Sequence, residues 1–268
     1  MQTEHGMSDP NYYGRLAGDS YGRFDDERAP LVLLHGLTFD RRQWGPAVNE
    51  LRLIDGHRRV LVVDLPGHGD SPRFAAYASD EVVDTIHQTM VAAGMGEPVV
   101  VGHSLGGILA TIYAGRYPVG GVVNVDQPLL VGGFRDFLRR AESKLRSPAY
   151  LEVWQSLLSG LRSDLLPPEA QELVRTATTP RQDLLLGYWN EILLSSADEL
   201  RDRQLRNLDA IRADATPYHY VSGDLSPEYR HWFETVLPEA AITVLPGSGH
   251  FPHLAHPAEF AKILAGSP

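Results

Sequence analysis

A serine lies between two glycines in Gly102-His103-Ser104-Leu105-Gly106, where a short apolar run gives way to a helical pattern. Such a tight strand-to-helix turn lifts a serine above the sheet, and larger flanking side chains would clash with neighbouring strands. Motif and context together indicate that Ser104 is a nucleophile. The alternative is a serine that only caps the following helix.

A serine hydroxyl is a weak nucleophile near neutral pH and needs a base, usually a histidine oriented by a carboxylate. His250 follows the last strand-like run in a glycine-rich loop, at residues 249–252, and we expect it to be that base. His253 and His256 have the three-residue spacing of a metal-binding tract. Because prolines interrupt the surrounding loop and the chain has no cysteine, we expect both to be surface or packing residues, and no bound metal.

The segment His35-Gly36-Leu37-Thr38 closes the first long strand. A turn here can aim the backbone N–H of Leu37 at the oxygen of a tetrahedral intermediate, and the N–H of Leu105 can supply the second donor. The helix that starts at Leu105 adds a partial positive charge at the same place. The sequence therefore predicts an oxyanion hole at Leu37 and Leu105, with Thr38 as a candidate for substrate contact.

The elements that must position these residues follow from the hydrophobic pattern. Apolar runs ending in glycine, polar or acidic residues are typical of buried parallel strands. They lie at residues 31–35, 60–64, 98–101, 121–126, 218–222 and 241–245. Helical patterns at residues 42–51, 79–93 and 105–116 alternate with the first four runs, as in a parallel sheet. We also expect an antiparallel hairpin over residues 11–25, and a solvated helix start at Arg41 and Arg42.

Between the fourth and fifth runs, apolar residues recur at the spacing typical of α-helices. These patterns occupy residues 134–146, 148–160, 168–178, 180–194 and 197–213, with prolines as starts and breaks. We predict a helical cap at residues 131–213, inserted into a core formed by residues 1–130 and 214–268. Amphipathic helices bury aromatic residues in any case, but some of these face a substrate pocket in our interpretation. The pocket candidates are Phe134, Trp154, Tyr188 and Trp189.

Composition narrows the classes of function. With 268 residues and 43% hydrophobic content the chain can bury a sizeable core without disulfides. The absence of cysteine excludes thiol catalysis and thiolate metal sites. A net charge of −10 disfavours nucleic acid and anionic membrane surfaces as partners. Residues 1–10 lack the basic and apolar regions of a signal peptide, so we expect a cytoplasmic protein.

Four motifs occur in a characteristic order, at residues 35–36, 64–71, 102–107 and 249–252. Together they resemble the α/β-hydrolase fold family, over about residues 30–127 and 217–265. The resemblance implies an α/β fold with a mostly parallel, eight-stranded sheet flanked by helices. It also implies a helical cap inserted after the sixth strand, with a serine-type active site beneath it.

The acid of the triad departs from the common family pattern. In most members it follows the seventh strand in a glycine-x-x-aspartate turn, but here Ser226 occupies that position and Asp224 comes two residues early. Asp126, at the end of the sixth strand, is the alternative. The stretches 126–130, 226–229 and 249–252 are similar to fungal zearalenone lactonases and cofactor-free quinolone dioxygenases, which place the acid there. We favour Asp126 over Asp224, although an aspartate at this position can also serve only to fix the backbone of the cap entry.

These observations predict a hydrolase of carboxylic esters or lactones. Ser104 would attack the carbonyl, His250 would transfer the proton and Asp126 would orient the histidine. We expect a small-molecule substrate of moderately apolar character, and neither a metal nor an organic cofactor. Two alternatives remain: a cofactor-free dioxygenase that uses a His–Asp dyad on a quinolone-like substrate, and a ligand receptor without catalysis.

Overall fold

An eight-stranded sheet runs through the part of the chain that the structure, a computed structural model, describes: residues 10–268. Its strands are β1 (Tyr12–Tyr13), β2 (Leu16–Tyr21), β3 (Leu31–Leu34), β4 (Val60–Val63), β5 (Val99–His103), β6 (Gly121–Val125), β7 (Tyr218–Ser222) and β8 (Ala241–Val244). They lie in the order β1-β2-β4-β3-β5-β6-β7-β8. Only the pairings β1–β2 and β2–β4 are antiparallel. The expected mostly parallel sheet with a leading hairpin is confirmed.

Helices cover both faces of this sheet. They are α1 (Gly45–Ile54), α2 (Ser79–Ala92), α3 (Leu105–Ala114), α4 (Gly132–Leu145), α5 (Tyr150–Gly160), α6 (Pro168–Thr176), α7 (Gln182–Leu194), α8 (Ala197–Ala213), α9 (Pro227–Val236), α10 (Pro252–Ala255) and α11 (Pro257–Ala265). Two short 3₁₀ helices span Arg41–Trp44 and Ser163–Leu165. The helices after β7 carried no prediction from the sequence.

The central strands are buried on both faces, because successive side chains point to opposite sides of a sheet. In β3, Val32 and Leu34 join the apolar cluster that contains α2 and α3. Leu31 and Leu33 join the opposite cluster, with α1 and α11. The continuous apolar runs read from the sequence are therefore strands enclosed on both sides. The parallel pairing of β5 to β8 brings their carboxyl ends to one edge of the sheet.

The five helices α4 to α8 fill the interval between β6 and β7, where the sequence predicts a cap. Tyr188 of α7 donates a hydrogen bond to the carbonyl oxygen of Pro66 in the core, at 3.0 Å. The N–H of Thr179 donates to the carbonyl oxygen of Thr38 at 2.8 Å. A third apolar cluster joins α6 to Phe39 and Phe251. The cap helices are thus attached at several points to the loops that follow the strands.

Arg41 corrects one expectation from the sequence. It is not a solvated helix start: its guanidinium contacts the carboxylates of Asp19, Asp64 and Asp70, and its side chain is 18% exposed. Asp64 is fully buried and also accepts hydrogen bonds from the N–H groups of Arg41 and Asp70, at 2.7 and 2.9 Å. Arg42, whose side chain is 58% exposed, matches the expectation.

None of the helices within residues 10–268 combines the length and the apolar character that crossing a bilayer demands.

Candidate active site

Ser104 stands in a strained turn between β5 and α3. Its backbone adopts φ 51° and ψ −119°, a left-handed region that non-glycine residues rarely occupy. A Cβ at Gly102 would overlap the carbonyl oxygen of Gly106, and one at Gly106 would overlap that of Leu34. The two glycines are therefore required by close backbone approach. The strand reaches His103, two residues beyond the prediction, so the serine follows it directly.

His250 and Asp126 form a hydrogen bond between loops that follow β8 and β6. Nδ1 of His250 lies 2.7 Å from Oδ2 of Asp126, and both side chains are about 85% buried, with 14% and 15% exposed. The other carboxylate oxygen, Oδ1, is 2.5 Å from the Ser222 hydroxyl and 3.0 Å from the N–H of Gly223. Asp126 itself has φ 53°. Four successive strand ends, from β5 to β8, thus contribute to one group of side chains.

The surroundings of Asp126 favour its ionised form. Burial alone would raise its pKa, but the hydrogen bond and charge interaction with His250 and the hydrogen bonds from Ser222 and Gly223 together lower the pKa below 3.8. An ionised Asp126 accepts a hydrogen bond from the N–H at Nδ1 of His250. Nε2 of His250 is then left without a proton and can act as a base.

The structure brings Asp126, and not Asp224, to His250. Asp224 is exposed, and its carboxylate makes no hydrogen bond or ion pair with the histidine. Ser226, at the position where most family members carry the acid, caps α9: its hydroxyl accepts a hydrogen bond from the N–H of Tyr229 at 3.1 Å. The turn after β7 therefore starts a helix and supports Asp126 through Ser222 and Gly223.

Ser104, His250 and Asp126 line one cavity of about 410 Å³ between the core and the cap helices. The Ser104 hydroxyl makes no hydrogen bond to the imidazole in this structure. Loose contacts of this kind are common in proteins without bound substrate and tighten when it binds. The cavity brings the nucleophile and the base predicted from the sequence to the same surface.

Leu37 and Leu105 also line this cavity. Their N–H groups have no hydrogen-bond partner among residues 10–268. Leu105 is the first residue of α3, where a helix N–H has no partner within the helix. Two free N–H donors close to the N-terminus of α3 can stabilise the negative charge that develops on the oxygen of a tetrahedral intermediate.

Two buried histidines hold the turn that carries Leu37. Nε2 of His68 accepts a hydrogen bond from the N–H of Thr38 at 3.0 Å, and Nε2 of His35 accepts one from the N–H of Leu65 at 3.0 Å. Their Nδ1 atoms donate to the carbonyl oxygens of Pro66 and Gly36. Burial lowers the pKa of both rings, so they stay neutral and act as fixed hydrogen-bond bridges.

Thr38 itself requires a correction. It is 2% exposed, has φ 70° and is not among the residues that line the cavity. Its side chain therefore does not meet a ligand there, and its backbone serves the turn instead. Because a β-branched residue is uncommon in this left-handed region, the residue type alone does not predict this conformation.

The four aromatic pocket candidates Phe134, Trp154, Tyr188 and Trp189 all line the cavity. They also pack on one another: the rings of Phe134 and Trp189 lie 5.7 Å apart and those of Trp154 and Trp189 6.5 Å apart. Sequence reasoning missed several other lining residues. Ile108 and Ile112 follow Ser104 at intervals of four on α3, a helical spacing that does predict a common face. The polar lining residues Ser79, Glu191, Arg203 and Gln204 had no such signal.

The histidines beside the site have structural contacts. His103 places Nε2 2.8 Å from the carbonyl oxygen of His250. His253 is fully buried against Trp44 and His103, with ring centroids 4.6 Å away in each case. Nε2 of His256 lies 2.9 Å from the carbonyl oxygen of Pro246. Within the described range, no three His, Cys, Asp or Glu side chains stand where they could share a metal ion.

A comparison with sequence families decides the classification. The model of the Alpha/beta hydrolase family matches residues 31–263, most of the chain. The chain belongs to the alpha/beta hydrolase family. This alpha/beta hydrolase resembles 2-succinyl-6-hydroxy-2,4-cyclohexadiene-1-carboxylate synthases. It is 29% identical to that of Enterobacter sp. (strain 638) over 88% of its own length and 90% of the relative. It is 30% identical to that of Yersinia pestis bv. Antiqua (strain Nepal516), over 88% and 86%.

Solved structures with the same fold carry several different activities. A variant of AqdC, described as recognising and cleaving the ring of the Pseudomonas quinolone signal, has a TM-score of 0.78 at 21% identity over 93% of both chains. Est816, described as an N-acyl homoserine lactone degrading enzyme, has 0.72 at 22% identity over 94% and 96%. A thermophilic esterase from Thermogutta terrifontis has 0.70 at 22% identity over 93% and 91%. At these identities the likeness shows the fold alone.

Proposed function

We propose that this alpha/beta hydrolase cleaves carboxylic esters or lactones through an acyl-enzyme. The observation that carries the proposal is the 2.7 Å hydrogen bond between His250 and Asp126, at the wall of a cavity that also contains Ser104. A serine in a strained turn, a histidine held by a buried carboxylate and two free N–H donors supply every group that acyl transfer needs.

The reaction proceeds in two halves. The Ser104 Oγ attacks the substrate carbonyl carbon while Nε2 of His250 takes the hydroxyl proton, and Asp126 stabilises the resulting imidazolium. The N–H groups of Leu37 and Leu105 hold the oxyanion. His250 gives its proton to the leaving alkoxide, and the acyl group stays on Ser104. Water then attacks this ester with His250 again as base, which releases the acid and restores the serine.

The cavity supports a small-molecule substrate of moderately apolar character. Aliphatic and aromatic side chains from both core and cap form most of its wall, and burial of apolar surface is the main source of affinity in such pockets. Among proteins of the same fold, the esterase from Thermogutta terrifontis and the lactone-degrading Est816 are named for this class of chemistry.

A second candidate is dioxygenation without a cofactor, favoured by the position of the acid after β6 and by the likeness to AqdC. His250, oriented by Asp126, would remove a proton from a hydroxyquinolone-like substrate, and the carbanion would react with O₂. Ser104 would then carry no acyl group.

Labelling with a fluorophosphonate probe tests the leading proposal. We expect mass spectrometry to find the phosphonyl group on Ser104 in the wild type and in the exposed-site control Ser156→Ala, and to find none in Ser104→Ala. A panel of p-nitrophenyl esters and lactones should be hydrolysed by the first two proteins only. Unlabelled Ser104, no ester or lactone turnover, and oxygen consumption with a hydroxyquinolone would refute hydrolysis and establish the second candidate.

A further inference from the structure

The cavity extends from Ser104 along one wall of α3. Leu105, Ile108 and Ile112 all line it. Because an α-helix rises 1.5 Å per residue, the wall between Leu105 and Ile112 is about 10 Å long. A ligand whose carbonyl lies at Ser104 therefore has room for a chain that reaches the second half of α3.

Polar residues gather at the far end of this wall. Ser79, Glu191, Arg203 and Gln204 line the cavity together with Ile112. Two contacts near the C-terminal end of α3 show that these four residues lie at the far end of the wall. Arg116 forms an ion pair at 3.0 Å with Asp80, the neighbour of Ser79. A Cβ at Gly115 would lie 2.9 Å from Asn207, one turn along α8 from Arg203 and Gln204.

The two charges at this end cancel each other. Arg203 lies 3.3 Å from both carboxylate oxygens of Glu191, and the hydroxyl of Ser79 donates to Glu191 at 2.5 Å. Burial tends to raise the pKa of Glu191, but hydrogen bonds from Ser79 and the attraction of Arg203 lower it below 4.5. The carboxylate is therefore ionised, and the guanidinium already has its counter-charge. An anionic ligand group would meet Glu191 as well as Arg203.

Gln204 differs from its neighbours because its side chain is buried without a partner. It is 8% exposed, lines the cavity, and its amide makes no hydrogen bond to any residue from 10 to 268. Its donor nitrogen Nε2 is buried with no hydrogen-bond partner among these residues, and leaving a buried donor unpaired is costly. A ligand oxygen that accepts a hydrogen bond, such as that of a hydroxyl or an amide, would satisfy this donor.

We propose that this far end is a specificity subsite, centred on Gln204, for a neutral hydroxyl or amide group at the end of the acyl chain. The substrate class is thus an ester or lactone whose acyl part carries such a group about 10 Å from the reacting carbonyl. The Glu191–Arg203 pair frames the subsite and selects against a terminal carboxylate. This inference rests on the proposed hydrolysis for its substrate, and on the cavity for its binding.

Matched acyl chains test the subsite. The substrates are the p-nitrophenyl esters of octanoic acid, ω-hydroxyoctanoic acid and octanedioic acid. In the wild type we measure the ratio of kcat/KM for the hydroxylated ester to that for octanoate. Gln204→Leu and the isosteric Gln204→Met should lower this ratio about tenfold. Gln88→Leu, at an exposed glutamine of α2 outside the cavity, should leave it unchanged. An unchanged ratio in Gln204→Met would overturn the proposal.

The charge balance has its own test. Glu191→Gln leaves Arg203 without its counter-charge, so the ratio of kcat/KM for the octanedioic monoester to that for the hydroxylated ester should rise about tenfold. No rise in that ratio would show that the ion pair does not set the preference for neutral groups.

A binding experiment separates the subsite from the chemistry. In Ser104→Ala, NMR titration should show that octane-1,8-diol binds more tightly than octan-1-ol, and that adding Gln204→Met removes this difference. If the diol preference and its loss are seen while no ester is hydrolysed, the subsite stands and the proposed hydrolysis fails. If esters are hydrolysed but the diol shows no preference, the subsite fails alone.

Discussion

His103, the residue before the candidate nucleophile, donates a hydrogen bond from Nε2 to the backbone carbonyl oxygen of His250 at 2.8 Å. Burial lowers its pKa well below 6.5, so the ring is neutral and its one N–H points at the carbonyl. Strand β5, which leads into Ser104, thereby holds the loop that carries His250, the proposed base.

Replacing His103 should disturb the base without removing any reacting group. His103→Phe keeps an aromatic ring against Phe251 and His253 but loses the donor, and we expect kcat to fall about fivefold with KM little changed. His103→Gln, which can donate again, should recover part of the loss. Steady-state kinetics on an ester substrate measure both. Wild-type kcat in His103→Phe would show that the loop needs no such restraint.

Two asparagine variants decide which aspartate serves His250. Asp126→Asn keeps the shape but favours the wrong imidazole tautomer and removes the charge that stabilises the imidazolium, so kcat/KM should fall on the order of 10⁴-fold. Asp224→Asn should stay within about twofold, since an exposed side chain without contact to the site contributes little. Circular dichroism controls for folding. A normal Asp126→Asn beside an inactive Asp224→Asn would contradict the assignment.

The buried His253 should make the protein sensitive to acid. Burial lowers its pKa from 6.5 to about 3, so below pH 6.5 the unfolded chain takes up a proton that the folded chain does not. The free energy of unfolding therefore decreases as pH falls through this window, by about 1.4 kcal/mol per pH unit for this one histidine.

His253→Phe should remove that contribution. Its ring fits among Trp44, His103 and Phe260, and urea denaturation between pH 4 and 7 should show a shallower pH dependence than in the wild type. His256→Phe, at a partly exposed ring, is the control and should leave the slope as it is. Identical slopes in the wild type and His253→Phe would mean that His253 is not neutral and buried.

Arg41 should matter for stability far more than its neighbour. Arg41→Met leaves the fully buried carboxylate of Asp64 without its guanidinium partner, and we expect a loss of about 3 kcal/mol in the free energy of unfolding. Arg42→Met removes an exposed guanidinium from the largely buried carboxylate of Asp40, which keeps its bond from the N–H of residue 42, and should cost about 1 kcal/mol. Urea denaturation compares them. Equally small losses of unfolding free energy in the two variants would show that the buried Asp64 carboxylate does not need the Arg41 guanidinium.

The strands, the serine turn and the cap interval were predictable because each rests on local patterns. The hydrophobic period reports burial, and the glycines around Ser104 report the close backbone approach of Gly102 to Gly106. Sequence could also name Asp126 and His250 as candidates. It could not show them in contact, because that depends on how β6, β7 and β8 align and on the loop after β8.

What sequence could not supply was the identity of long-range partners for polar side chains. Arg41 contacts Asp64, which follows the adjacent strand β4 and lies 23 positions away in the sequence. Gln204 lies on a helix whose pattern predicts a buried face but not that part of this face borders a cavity. Thr38 was misplaced because a residue type alone does not reveal a left-handed backbone.

The cap also contacts the backbone of His250, the proposed base. The carbonyl oxygen of Leu161, just after α5, accepts a hydrogen bond from the N–H of His250 at 2.9 Å. A Cβ at the preceding Gly249, with φ 53°, would lie 2.7 Å from the same oxygen. Because the N–H of His250 has its partner on the cap side, the position of this histidine depends on residue 161 as well as on the core.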